Sequence, residues 1–159
     1  MRLGTFAAVI ALSAAVAACG KPQEGSGTTA AAPPATDAEK LAVLASYPAP
    51  YNAADLANGK AKFALCRSCH TVAPDGANMT GPNLYGVFGK PAANHPDFNY
   101  SDALKNAGIV WDGSHLDDWL EKPQTYLPGT KMSFAGIKDE KDRVDLIAYL
   151  MVETGYKGK

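Results

Sequence analysis

The sequence lacks several features that other classes of protein require. It carries 15 Lys and Arg against 16 Asp and Glu, so a nucleic-acid-binding role has no electrostatic support. The most apolar run, residues 6–16, is too short and too rich in alanine to indicate a membrane-spanning helix. The alternating pattern of a β-strand is absent, and so is any internal repeat. The motifs described below account for the three cysteines without a disulfide.

The N-terminus reads as an export signal over residues 1–18. Arg2 supplies the positive charge, and residues 6–16 supply the apolar segment. The signal ends in Ala17-Ala18-Cys19, which resembles the lipid-attachment motif of bacterial lipoproteins. Lipid on Cys19 would anchor the mature chain to the periplasmic side of a bacterial membrane without spanning it. The alternative is ordinary cleavage near Ala18, which would leave a soluble periplasmic protein with Cys19 incidental.

A low-complexity segment separates this signal from the rest of the chain. Residues 20–46 are mostly Gly, Ser, Thr, Pro and Ala, a composition that buries too little apolar surface to fold. Residues 19–50 are therefore predicted to form a lipidated N-terminus and a flexible tether with a reach of about 30 Å. The length of the remainder, residues 51–159, predicts a single domain.

The chemistry of that domain centres on Cys66-Arg67-Ser68-Cys69-His70. Two cysteines three apart, followed by histidine, are the attachment signature of a c-type haem. One helical turn presents both sulfurs to one edge of the porphyrin, and the histidine becomes an iron ligand. The alternatives are a redox dithiol and half of a zinc site. A zinc site needs two more ligands, but the sequence has no further cluster of Cys or His, since His95 and His115 stand apart.

A second iron ligand is predicted at Met132. A methionine is usually core filler, but Met132 follows Pro128 and Gly129 in a loop and belongs to no helical stripe. Such a loop can bring a thioether over the distal face of a haem. Thioether sulfur suits haem iron, and ligation by Met and His raises the reduction potential.

Five strings make residues 51–156 resemble the class I cytochromes c, in particular the mitochondrial-type branch. In order they are CRSCHTV, TGPNLYGVFGK, FNYSDALKNAGIVW, YLPGTKMSFAGI and DRVDLIAYL. The resemblance implies an all-α fold of about four to five short helices, joined by long loops around one covalent haem c. It also implies that Leu146 and Tyr149 of the last helix cross Gly59 and Phe63 of the first.

The resemblance further implies a set of residues around the haem. They are Pro82, Lys90, Tyr100, Ser101, Trp111, Trp119, Thr130 and Phe134. The Pro82 carbonyl would accept a hydrogen bond from His70, which orients the imidazole and raises its basicity. Tyr100 and Trp111 would face a buried propionate, with hydroxyls from Ser101 and Thr130.

Three of the positions around the haem depart from the mitochondrial pattern. Lys90 replaces an arginine that usually helps hold a propionate, and lysine lacks the bidentate fork of arginine. Leu104 replaces an asparagine, and Trp119 replaces a tyrosine near the methionine sulfur. A less polar distal side is therefore expected. Phe134, two residues after the methionine, would cover the exposed haem edge.

Capping residues predict where the helices of the domain begin. Asn52 is the expected N-cap of the first helix, Ser101 that of a short helix through residue 106, and Ser114 that of a helix ending at Glu121. The last helix is expected to begin at Asp139 or Glu140, with an apolar stripe that includes Val144, Ile147 and Met151.

The predicted function is one-electron transfer by a monomer, not catalysis. Two protein ligands on the iron leave no open position for a substrate or for dioxygen. With a membrane anchor, the expected partners are respiratory complexes such as a quinol–cytochrome c oxidoreductase and a terminal oxidase. Two alternatives stay open: a peroxidase-like or gas-binding haem protein if Met132 is labile, and an electron-entry module of a larger oxidoreductase.

Overall fold

The computed structural model of the protein describes residues 35–158. The predicted signal over residues 1–18, the lipidation at Cys19 and most of the predicted tether lie outside these residues. The described chain is helical, and its only bridge of β type joins Pro91 to Val110. Its helices are α1 (Asp37–Ala45), α2 (Leu56–Phe63), α3 (Asp102–Lys105), α4 (Gly113–Glu121), α5 (Pro123–Tyr126) and α6 (Glu140–Glu153), with a 3₁₀ turn at Tyr51–Ala53.

The all-α fold class is confirmed, although two of these helices, α1 and α5, were not predicted. Within residues 35–158, no helix combines the length and the apolar composition that crossing a membrane requires.

Helix α1 corrects the prediction of a flexible tether through residue 46. Thr36 and Glu39 form a capping box at its N-terminus, in which each side chain satisfies a backbone N–H of the other. Leu44 on the helix and Tyr47 just beyond it are buried. Lys40 forms a 2.6 Å ion pair with Glu153 at the end of α6. The tether prediction is wrong here because two large side chains in an Ala-rich stretch suffice to dock a short capped helix.

Helix α2 starts later than predicted, because Asp55 and not Asn52 is its N-cap. The Asp55 carboxylate accepts from the backbone N–H groups of Ala57 at 2.9 Å and Asn58 at 3.1 Å. Asn52 instead lies in the 3₁₀ turn. Aspartate and asparagine are about equally good N-caps, so the two sites could not be ranked from residue type.

The crossing of α2 and α6 follows the predicted residues. A methyl group built on Gly59 would lie 2.7 Å from Cβ of Tyr149, so only glycine admits this approach. The rings of Phe63 and Tyr149 pack with centroids 5.6 Å apart, and Leu146 is completely buried. This contact fixes the end of α2, and thus the place where the Cys-x-x-Cys-His segment begins.

Two of the remaining helix starts were predicted correctly and one was not. Ser101 caps α3 as expected, and α6 begins at Glu140, one of the two expected starts, with Asp139 as its N-cap. Asp112, not Ser114, caps α4, and its carboxylate accepts from the backbone N–H of His115 at 2.8 Å. The Ser114 hydroxyl donates to the same carboxylate, so it supports the cap that it was expected to form.

A partly buried ion pair joins α6 to α4. The Arg143 guanidinium donates to both carboxylate oxygens of Asp117, at 2.8 and 3.2 Å, and its pKa is raised by this partner. The same guanidinium donates to the carbonyls of Ile137 and Lys138, both at 3.0 Å. These contacts anchor the C-terminal end of the loop that carries Met132.

Candidate functional site

The described residues enclose a cavity of about 260 Å³. It is lined by the four residues predicted to attach and ligate a haem: Cys66, Cys69, His70 and Met132. Seven of the eight other predicted residues line it as well: Pro82, Tyr100, Ser101, Trp111, Trp119, Thr130 and Phe134. Segments that lie far apart in the sequence therefore line a single cavity in the folded chain.

The two cysteines lie on a single turn that continues from α2. The backbone N–H of Cys66 donates to the carbonyl of Phe63 at 2.8 Å, and the N–H groups of Cys69 and His70 both donate to the carbonyl of Cys66 at 3.0 Å. This turn directs both sulfurs and the imidazole into the cavity. Burial raises the pKa of the Cys66 thiol to about 11, with a smaller contribution from Cys69, so this sulfur is a neutral thiol at physiological pH.

His70 is held in one orientation by its neighbours. Its Nδ1–H donates to the carbonyl of Pro82 across 2.8 Å, which is the hydrogen bond that the resemblance implied. A side chain at Gly81 would collide with the imidazole, since its Cβ would lie 2.7 Å from both ring nitrogens. Burial lowers the pKa of His70, and the bond to Pro82 only partly opposes this. The ring is therefore neutral at physiological pH, with an unprotonated Nε2 free to bind iron.

Asn83, which the sequence analysis missed, organises the loop that carries Pro82. Its buried side-chain amide lies 2.8 Å from Thr71 Oγ1, 2.9 Å from the carbonyl of Ala73 and 2.8 Å from that of Gly76. A buried amide with several partners fixes a loop much as secondary structure would. The Gly-Pro-Asn sequence signals a turn there, but nothing in it signals that the asparagine points inward.

The loop around Met132 is also held by hydrogen bonds. The Gln124 side chain donates to the carbonyls of Met132 at 2.8 Å and Thr130 at 3.2 Å. The backbone N–H of Met132 donates to Thr130 Oγ1 at 3.2 Å. Lys131 reaches across to the carbonyl of Tyr100, also at 3.2 Å. The sequence pattern does not indicate the roles of Gln124 and Lys131, because both depend on segments that meet only in the folded chain.

Aromatic and aliphatic side chains form much of the cavity wall. Trp111 and Trp119 pack edge to face with centroids 5.5 Å apart, and Trp119 packs on Tyr126 at 6.2 Å. Leu104 also lines the cavity. The two departures from the mitochondrial pattern at Leu104 and Trp119 therefore place apolar groups against the cavity, as expected.

Lys90 is the one predicted residue that the structure does not bring to the cavity. Its side chain is exposed, and it is absent from the cavity wall. The Lys90 carbonyl accepts from the backbone N–H of Trp111 at 2.9 Å. This strand-like pairing leaves Trp111 buried and the Lys90 side chain in solvent, away from the cavity wall, and the contact of Lys90 with a propionate stays a prediction.

Comparisons with known proteins point to one family. The family model described as Cytochrome c matches residues 56–152. Cytochrome c2 of Rhodomicrobium vannielii is 45% identical over 105 residues, covering 66% of this chain and 84% of that protein. Cytochrome c2 of Blastochloris viridis is 44% identical over 110 residues, covering 69% and 87%. The solved structure of cytochrome cH from Methylobacterium extorquens is 44% identical with a TM-score of 0.57, covering 60% of this chain and 96% of that one.

Proposed function

The chain belongs to the cytochrome c family, whose members carry one covalent haem c, and we propose that Cys66 and Cys69 form its thioether bonds while His70 and Met132 ligate its iron. The protein is a monohaem electron carrier. The observation that carries the residue assignment is the shared cavity, where the Cys-x-x-Cys-His turn and Met132 line the same space.

The residues around the cavity fit a haem chemically. A porphyrin presents a broad apolar face, which suits the packed side chains of Leu104, Trp111 and Trp119. Its carboxylates need hydrogen-bond donors wherever they are buried, and Tyr100 and Thr130 supply hydroxyls. When bound, the haem supplies an iron that gains and loses one electron.

If His70 and Met132 both hold the haem iron, their fixed positions would favour electron transfer over catalysis. Pro82 fixes the imidazole of His70, and Gln124 and Thr130 fix the backbone of Met132. Ligands held in this way need little rearrangement when the charge on the iron changes. They also leave no open position for a peroxide or for dioxygen, so the peroxidase-like alternative would require this loop to release Met132.

The electron is proposed to leave at the rim of the cavity near Leu65 and Phe134. Leu65 directly precedes Cys66, lines the cavity and is 57% exposed. Phe134 lines the cavity and is only half-buried. An exposed apolar residue at the rim suits brief contact with a partner protein, because it needs no charge pairing that would slow release.

The N-terminus is proposed to anchor this carrier to the periplasmic side of a bacterial membrane through lipid on Cys19. Helix α1 leaves at most residues 20–36 as tether, so the expected reach shortens from about 30 Å to roughly 20–25 Å. Tethering raises the effective concentration of the carrier near membrane partners. We propose a quinol–cytochrome c oxidoreductase as donor and a terminal oxidase as acceptor.

Mass spectrometry of the denatured protein, made with a haem-ligation system, tests the attachment. A mass increase of one haem that disappears in a Cys66→Ser, Cys69→Ser double variant is the expected result. A protein without this adduct would refute the assignment of the two cysteines.

A pair of methionine variants tests the axial ligand. Met132→Ala should abolish the far-red sulfur-to-iron absorption band of the ferric protein and lower its reduction potential. Met79→Ala is the matched control, since Met79 is 48% exposed and does not line the cavity. An unchanged ferric spectrum in Met132→Ala would rule out Met132 as the ligand.

A further inference from the structure

Helix α1 is tied to the C-terminal end of the chain. Its Lys40 forms the ion pair with Glu153 described above, and Leu44 is only 5% exposed. Just beyond the helix, the Tyr47 hydroxyl donates to the carbonyl of Tyr156 at 2.9 Å. Burial raises the pKa of Tyr47 to about 12, with a smaller contribution from Tyr156, so this hydroxyl remains a donor at physiological pH. Helix α1 therefore holds the end of the chain in place.

The end of the chain in turn contacts the loop that follows Pro82. The ring of Tyr156 packs against those of Tyr47 and Phe88, with centroids 5.6 and 5.2 Å away, and Phe88 is buried. The backbone N–H of Gly86 donates to the carbonyl of Thr154 at 2.9 Å, and Thr154 is completely buried. One ring contact and one backbone hydrogen bond thus support the far end of this loop.

The near end of the same loop carries the carbonyl that orients His70. The N–H of Val87 donates to the carbonyl of Leu84 at 3.1 Å, and the N–H of Leu84 donates to the carbonyl of Thr71 at 2.8 Å. Two residues before Leu84, the Pro82 carbonyl accepts from Nδ1 of His70 at 2.8 Å. Consecutive hydrogen bonds therefore join the supported end of the loop to the acceptor of the His70 bond.

We propose that α1, Tyr47 and Tyr156 form a brace that positions His70, because they support the loop that holds the Pro82 carbonyl against its imidazole. This inference rests on the proposed role of His70 as an iron ligand. The three parts of the brace lie outside residues 56–152, the part of the chain that matches the cytochrome c family. Packed side chains and hydrogen bonds can carry such coupling between distant sites.

The effect of the brace on the reduction potential has a definite sign. The hydrogen bond from His70 to Pro82 raises the basicity of the imidazole toward iron. A more basic ligand favours the oxidised state, because oxidised iron carries one more positive charge. Loss of the brace weakens this bond, so the reduction potential should rise. A loss of global stability alone does not require such a shift, so the potential separates a positioning role from a merely structural one.

Two replacements of Tyr156 in the full-length, haem-loaded protein test the brace. Tyr156→Leu removes the ring, whereas Tyr156→Phe keeps the ring and loses only a hydroxyl that makes none of the contacts described above. NMR measures how fast the Nδ1 proton of His70 exchanges with solvent, which requires the bond to Pro82 to open. Exchange should be roughly tenfold faster in Tyr156→Leu, and the reduction potential should be higher. Tyr156→Phe should match the natural protein in both measurements.

A matched pair of variants tests the contribution of α1. Leu44→Ala should speed exchange of the His70 proton and raise the reduction potential, whereas Leu41→Ala, at a position 57% exposed, should do neither. Tyr47→Phe removes only the hydrogen bond to Tyr156, so it should act in the same direction by a smaller amount. Because α1 acts through Tyr156, Leu44→Ala should have a much smaller effect when Tyr156→Leu is already present.

Two results would overturn the inference. One is natural proton exchange and a natural potential in both Tyr156→Leu and Leu44→Ala. The other is an effect of Leu44→Ala that persists undiminished beside Tyr156→Leu. If Tyr156→Leu does not fold, the same two measurements on Tyr47→Phe decide, and natural values would refute the brace.

The brace and the proposed haem site fail in different ways. An incorrect haem site would show in the natural protein as the absence of covalent haem or of the sulfur-to-iron band. An incorrect brace would leave both of these features intact, and only the exchange of the His70 proton and the potentials of the variants would contradict it.

Discussion

Replacing Gly59 by alanine is expected to destabilise the protein, although alanine is the better helix former. A methyl group on Gly59 would lie 2.7 Å from Cβ of Tyr149 and 2.8 Å from the carbonyl carbon of Asp145. Carbon atoms in good contact are about 3.5–4.0 Å apart, so α2 and α6 would have to separate by about 1 Å. Neither obstacle can rotate away, because one is backbone and the other is the first atom of a side chain.

The magnitude is the difference between two effects. Overpacking a core costs about 1–3 kcal/mol, and a contact against backbone belongs at the upper end. The higher helix propensity of alanine offsets this cost, because it stabilises the helix by about 1 kcal/mol relative to glycine. The free energy of unfolding should therefore fall by about 2 kcal/mol. At about 3–5 °C per kcal/mol for a domain of this size, the melting temperature should fall by roughly 6–10 °C.

Denaturant unfolding of the haem-loaded protein, followed by tryptophan fluorescence, measures this difference. The midpoint should shift without a change in slope. Ala61→Gly is the control, since Ala61 is exposed on the same helix and its replacement removes about 1 kcal/mol through propensity alone. A Gly59→Ala protein as stable as the natural one would refute the reasoning, because it would mean that the helices separate at no cost.

Three further predictions concern the N-terminus and the cavity rim. Leu44→Ala should cost about 2–5 kcal/mol of global stability, as for other buried leucines, whereas Leu41→Ala on the same helix, 57% exposed, should change it by less than about 0.5 kcal/mol. In stopped-flow assays with membranes, Leu65→Asp should slow electron transfer to the partner more than Lys60→Ala does, and the rate should fall only modestly from low to physiological ionic strength. Cys19→Ser should release the protein from washed membranes, or block its processing.

Each of the three has an outcome that contradicts it. Equal stabilities of Leu44→Ala and Leu41→Ala would mean that α1 is not docked in solution. A steep loss of rate with salt, or indifference to Leu65→Asp, would indicate that charge governs the encounter. A Cys19→Ser protein that matures normally and stays on the membrane through a salt wash would exclude the lipid anchor.

The cavity residues follow from the sequence to the extent that their arrangement is local. The turn that presents Cys66, Cys69 and His70 is built from hydrogen bonds between residues three and four apart, so their spacing alone predicts it. The N-cap at Ser101 and the start of α6 at Glu140 are likewise local, and the sequence predicts both correctly. The fold class was also predicted, since helical patterns and turn residues leave no place for strands.

The tertiary structure decided what depends on distant segments. Asn83 and Gln124 hold loops through hydrogen-bond partners that are not adjacent to them in the chain. The amino-acid composition around Leu44 predicts a flexible tether, but in the folded chain α1 docks against the end of α6. Lys90 faces solvent because its backbone pairs with that of Trp111. Sequence pattern specifies short-range hydrogen bonds and periodicity, whereas burial depends on which surfaces meet, and only the folded chain brings those surfaces together.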